Sequence, residues 1–128
     1  MANIIEGLKY TREHEWAKIE GGIAITGITD YAQSILSDIV MIEPPKVGTQ
    51  IKAGDAVGTI EAVKAVSDLF APLSGEVIEV NEKVVKEPAI INRDPYNEGW
   101  IYKIKVNNPS EAENLLSAEQ YKELIAGH

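Results

Sequence analysis

No cysteine occurs among the 128 residues, which excludes disulfide staples, thiolate metal ligands and a cysteine nucleophile. Any sulfur redox chemistry must therefore be carried by something attached to the chain. Histidine is nearly as scarce, with His14 and His128 the only two. His14-Glu15 begins like the zinc-binding helix of metalloproteases, but that motif needs a second histidine four residues on so that both ligands share a face, and position 18 is Lys18. There is no Gly-x-Ser-x-Gly elbow and no phosphate-cradling glycine loop ending in Lys-Ser or Lys-Thr. These absences predict no catalytic constellation and no metal site, and favour a carrier or binder over an enzyme. Positive charge is also in deficit, 12 Lys and Arg against 20 Asp and Glu, for a formal charge of −8. That sign is opposite to what a phosphate backbone requires, so nucleic acid is not an expected partner, and basic protein surfaces are. No apolar run approaches the roughly 20 residues that span a bilayer. The start, Met1-Ala2-Asn3-Ile4-Ile5-Glu6, lacks the basic and apolar regions of a signal peptide. The expectation is one domain over residues 1–128, cytoplasmic, with no membrane partner.

What is present is a succession of short alternating segments. His14–Glu20 and Gly22–Gly27, joined at Gly21-Gly22, read as a hairpin. Ile28, Tyr31, Ala32, Ile35 and Leu36 have helical spacing, with Thr29 or Asp30 as the N-cap. Asp38–Glu43 reads as a buried strand halted by Pro44-Pro45. From Lys46 to Val80 strands and turn signals alternate every 8–12 residues or so, the pattern of a sandwich or small barrel. Val47–Ile51 and Ser74–Ile78 both place glycine ahead of an alternating strand, suggesting a quasi-two-fold arrangement. Val84 to Ile91 reads as helical turns broken at Pro88, Asn92–Gly99 as loop and Trp100–Val106 as a closing strand. Ser110 with Glu113 has capping-box spacing, and Leu115, Ala118, Tyr121, Leu124 and Ile125 share one helical face.

Lys64 stands between two alternating runs, Thr59–Val63 and Val66–Leu69, so it marks a reversal of direction with its ammonium pushed out at the tip. Taken alone, a lysine beside a turn signifies solubility. Its context is more specific, because Glu61-Ala62-Val63-Lys64-Ala65, followed by Asp68, Ala71-Pro72 and Ser74-Gly75, resembles the hairpin of lipoyl-carrying domains. Biotin-carrying hairpins usually bracket the lysine with methionines, which are absent here.

The resemblance extends over nearly the whole chain to the H-protein family of the glycine cleavage system. It is carried by Leu8-Lys9-Tyr10, His14-Glu15-Trp16, Gly27–Gln33, Asp38-Ile39-Val40, the lysine hairpin, Ser74–Val77, Asn81, Ile91-Asn92, and Asp94-Pro95-Tyr96 before Gly99-Trp100. The family usually has serine where Ala62 stands and leucine where Pro44 stands, and the missing Ala62 hydroxyl bears on recognition by a ligase. The resemblance implies a mainly β (α+β) barrel-sandwich hybrid of the lipoyl/biotinyl type, with a short internal helix and a C-terminal helix. It implies lipoate covalently attached to Lys64, Glu61 as a cue for a lipoate ligase or lipoyl transferase, and Glu15 with Asp68 as a cradle for the loaded arm. A carboxylate suits that cradle because an aminomethyl group on sulfur is cationic when protonated. Trp16 is assigned to core or groove wall. The implied role is a monomeric, non-catalytic shuttle of one-carbon metabolism, visiting glycine decarboxylase, a tetrahydrofolate-dependent aminomethyltransferase and dihydrolipoamide dehydrogenase. Three alternatives stand beside it: a relay that supplies lipoyl groups to other enzymes, a β-sandwich interaction module that is never modified, and an enzyme in its own right, which the lack of any catalytic constellation disfavours.

Overall fold

A computed structural model describes residues 2–127, so His128 lies outside it. The alternating segments become nine strands: β1 (Lys9–Tyr10), β2 (Glu15–Glu20), β3 (Ile23–Ile28), β4 (Ile39–Glu43), β5 (Gln50–Ile51), β6 (Ala56–Ala62), β7 (Val66–Phe70), β8 (Gly75–Val80) and β9 (Tyr102–Val106). They form a six-stranded sheet ordered β1-β2-β3-β9-β8-β5 and a three-stranded sheet ordered β4-β6-β7, antiparallel throughout. Inward residues of both sheets, among them Ala24, Ile42, Ile60, Leu69, Val77 and Ile104, make one apolar core. The expected barrel-sandwich hybrid with added helices is the architecture found. The two segments that read alike lie against each other, since Gln50 pairs with Glu76 and Ile51 with Gly75.

Four helices follow the local signals unevenly. Helix α1 (Asp30–Leu36) is capped by Thr29, whose hydroxyl accepts from Ala32 N at 3.1 Å. Ala32 is buried and Leu36 packs on the core, but Ile35 is exposed and Ile28 ends β3, so the five-residue apolar face read from spacing is only partly used. Ser37, with φ of 64°, turns the chain out of the helix. Helices α2 (Glu82–Lys86) and α3 (Ala89–Arg93) are separated at Pro88 as expected. Asn92, read as loop, lies in the last turn of α3. Its amide accepts from Ile39 N (3.0 Å) and donates to Ser37 O (2.7 Å) and Gln33 Oε1 (3.0 Å), so it clamps α1 and the start of β4 together.

The capping box is not at Ser110 and Glu113. Those residues lie in a 3-10 turn, Pro109–Asn114, capped by Asn108, while Ser117 and Gln120 exchange the reciprocal bonds that start α4 (Ala118–Ala126). Leu115 falls before that helix and packs on the main core. Ala118 and Tyr121 are buried with Leu8, Tyr10 and Trp16 in a second cluster, against which Leu124 and Ile125 pack. Gly27, opposite Trp16 across the β2/β3 ladder, has no room for a Cβ because the indole lies 2.8 Å from where it would stand.

The strand expected to be wholly buried is half exposed. Ile39 and Ile42 face the core, but a register shift between Ile39 and Met41 leaves Val40 and Met41 both in solvent on the edge strand β4. Among the described residues no helix is long and apolar enough to cross a membrane.

Candidate functional site

Strands β6 and β7 form the hairpin expected around Lys64, and its turn is Val63-Lys64-Ala65. Ala62 N donates to Ala65 O at 2.8 Å, closing the turn, and Val63 N donates to Asp38 O at 2.9 Å, tying it to the segment before β4. The turn is therefore held by backbone alone, which leaves the Lys64 side chain unused by the fold. Lys64 is exposed, and it takes part in none of the ion pairs found among the described residues, Lys18–Glu20, Arg93–Glu87 and Lys103–Glu79. An amine so placed is open to acylation, and the hairpin fits a group attached there.

The β6 and β7 registers fix the other hairpin residues. Glu61 pairs with Val66 on one side and Met41 on the other, and it is exposed. Asp68 pairs with Thr59 and is also exposed, two residues further from the tip. Ala62 is buried, so its side chain points away from the face that carries Glu61.

Glu15 is placed differently from Asp68. It is only 3% exposed. Its Oε2 accepts from Phe70 N at 2.8 Å and its Oε1 from the Thr11 hydroxyl at 3.3 Å. Burial pushes its carboxyl up to about 8, with the Phe70 and Thr11 donors pulling the other way and the Glu13 charge adding to the rise. Instead of an open cradle shared with Asp68, Glu15 is an internal carboxyl that joins β2 to the last residue of β7. The residues that sequence reasoning missed here are Thr11 and Phe70. Thr11 carries a faint signal, a hydroxyl four residues before a glutamate, whereas the Phe70 contact is through the backbone and leaves no trace in side-chain identity. Tyr102 was missed as well. It is buried near Glu15 with a hydroxyl that makes no well-formed hydrogen bond among the described residues, and burial followed by the Glu15 charge raises its phenol above the usual range, with the nearby Thr26 side chain pulling weakly the other way.

Trp16 belongs to the core and finds its partner, since its Nε1 donates to Pro95 O at 3.0 Å. His14 adopts a left-handed φ of 69° just before β2, and its Nδ1 lies 2.9 Å from the Tyr121 hydroxyl. Among the described residues no cluster of His, Cys, Asp and Glu is arranged to hold a metal ion.

Comparison with known proteins places relatives along nearly the whole chain. A family model described as glycine cleavage H-protein matches residues 8–128. The glycine cleavage system H protein of Carboxydothermus hydrogenoformans is 53% identical over 125 residues, covering 98% of this chain and 96% of that one. That of Bacteroides thetaiotaomicron is also 53% identical, covering 98% and 99%. Among solved structures, the crystal structure of a glycine cleavage system H protein from Mycobacterium marinum superposes with a TM-score of 0.86 at 38% identity, covering 96% of this chain and 99% of that chain.

Proposed function

The chain belongs to the glycine cleavage H-protein family, a family of non-catalytic lipoyl carriers, and from that membership we propose that it carries lipoate as an amide on Lys64. In this reading it shuttles the aminomethyl group of glycine from the pyridoxal-phosphate glycine decarboxylase to the tetrahydrofolate-dependent aminomethyltransferase. Dihydrolipoamide dehydrogenase then reoxidises it. Lipoate supplies the electrophilic disulfide that the cysteine-free chain lacks.

The observation that carries the proposal is the turn at Lys64, closed by backbone hydrogen bonds with the amine left exposed. Attachment is by attack of Nζ on the acyl carbon of an activated lipoyl donor. The activating group leaves, and the ammonium gives up two protons to it and to solvent. The loss of one positive charge takes the formal charge from −8 to −9. Glu61, exposed on the neighbouring strand position, serves as an acidic cue for the attaching enzyme. Asp68 offers a carboxylate on the same hairpin face to a cationic amine at the end of the arm, while Glu15, internal and holding its proton up to about pH 8, supports that strand through the Phe70 N–H and offers the amine no charge at neutral pH. Residues 1–128 act as one cytoplasmic, monomeric carrier domain.

Intact-mass measurement of the protein from its native cell tests the assignment. A lipoyl-sized addition is expected on the wild type and none on Lys64→Arg. An unmodified wild type, or an addition that survives Lys64→Arg, sinks it.

A further inference from the structure

Apolar side chains crowd the surface around Lys64 although the fold gives them nothing to pack against. Val63 is 70% exposed, Val66 64%, Met41 52% and Val40 51%. They come from three strands, and their common location is a matter of register. Met41, Glu61 and Val66 stand directly opposite one another and form one row across the outer face of the β4-β6-β7 sheet, with two apolar residues flanking a carboxylate. The β4 register shift adds Val40 to that surface, and the Val63 N–H bond to Asp38 O holds the turn next to it. Solvent-facing positions on an edge strand ordinarily carry charge to discourage association, so two consecutive apolar residues there mark a surface that something covers.

We infer that Val40, Met41, Val63 and Val66 form the docking face for the enzyme that acylates Lys64, and that the matching surface of that enzyme is apolar at its centre with a cationic rim facing Asp38 and Glu61. The inference rests on the proposed lipoylation of Lys64. The occupant follows from reach. Enzymes that meet the finished carrier work at the far end of a long flexible arm and can do so without covering the hairpin. An enzyme that forms the amide must bring its activated acyl carbon to Nζ itself, and its active-site rim then closes over the residues flanking Lys64. The charge of the rim follows from Asp38 and Glu61, both exposed and acidic.

The test uses the full-length unmodified protein with a purified lipoate ligase, lipoate and ATP, with acylation followed by intact mass. The double variant Met41→Lys/Val66→Lys is expected to raise KM for the carrier about tenfold or more with kcat little changed, since it buries two cations against an apolar centre that is itself ringed by positive charge. Met41→Leu, which keeps an apolar side chain, is expected to leave KM within about twofold. Urea unfolding checks that the double variant is folded. Should it prove unfolded, Met41→Thr alone, at an exposed edge position, carries the same prediction with a smaller rise in KM. An unchanged KM in the folded charged variant overturns the inference. So does a wild type that dimerises in sedimentation and is made monomeric by the double variant, because the face is then a contact between copies. A wild type that is never acylated sinks the lipoyl assignment instead, so the two failures are distinguishable.

Discussion

The two ends of the molecule treat their side chains in opposite ways. At the aromatic end Tyr10 and Tyr121 stack with ring centroids 4.6 Å apart. The Tyr121 hydroxyl is shared between Thr29 Oγ1 (2.8 Å) and His14 Nδ1 (2.9 Å), and the Tyr10 hydroxyl both accepts from Ile5 N and donates to Ile5 O at 2.8 Å. Large rings are buried there and their polar atoms are partnered. At the lysine end the backbone closes the turn and the side chains are left in solvent. The difference teaches where each part of the chain's information goes: the aromatic end specifies the fold, and the lysine end adds to the fold little beyond the backbone bonds of its turn.

Substitution should break that contrast first at the aromatic end. Trp16→Ala removes a buried indole, its bond to Pro95 O and its packing against Gly27, and is expected to cost about 3–5 kcal/mol in urea unfolding. Lys64→Arg, by comparison, should change stability by no more than about 0.5 kcal/mol while abolishing modification. Equal losses in the two variants would mean that the ends are not energetically distinct.

Glu15 links the two ends, since it begins β2 beside Trp16 and holds the N–H of Phe70 on the strand that leaves the lysine turn. Its raised pKa gives the comparison a pH axis. Below its ordinary value of 4.5 the carboxyl is neutral in both the folded and unfolded states. Between there and about 8 the unfolded chain has lost the proton while the folded one retains it. Its contribution is thus fully present in acid and is lost as pH rises through the folded value, at up to roughly 1.4 kcal/mol per pH unit. Glu15→Gln keeps an acceptor for Phe70 N but cannot ionise. Unfolding of both proteins at pH 5, 6.5 and 8 should show the variant gaining on the wild type as pH rises, by a few kcal/mol at most. A difference that stays flat would show that the carboxyl is already ionised at pH 5.

Residues with local causes were legible from the chain alone. The reversal at Lys64, the Thr29 cap, the break at Pro88 and the Gly21-Gly22 hairpin each follow from alternation, a side-chain oxygen or a ring constraint within a few positions. What was not legible depends on pairing between distant strands. The β4 register shift exposes Val40 and Met41 because β4 is an edge strand, and no local pattern reveals which strand will lie at an edge. Glu15 is internal because Phe70, far along the chain, offers a backbone donor. Asn92 and the Ser117/Gln120 box show a third case, in which polar residues typical of loops act as clamps and caps only once their neighbours arrive. Of the candidate site, the exposed lysine at the turn was readable and the surface around it was not.

The smallest expected effect is also the most discriminating about how the interior is built. The Tyr102 hydroxyl is buried without a partner among the described residues, whereas that of Tyr121 has two. An unpartnered buried hydroxyl has already lost its bonds to water, so removing it forfeits nothing and relieves a desolvation cost. Tyr102→Phe is therefore expected to be neutral or to stabilise by up to about 1 kcal/mol, while Tyr121→Phe, which removes the hydroxyl's bonds to Thr29 and His14, should cost about 1 kcal/mol. Urea unfolding of the pair on the same day resolves the difference in sign. If Tyr102→Phe were as costly as Tyr121→Phe, its hydroxyl would have a bound partner such as an internal water, and the β9 strand would join the aromatic end as a fully satisfied part of the interior.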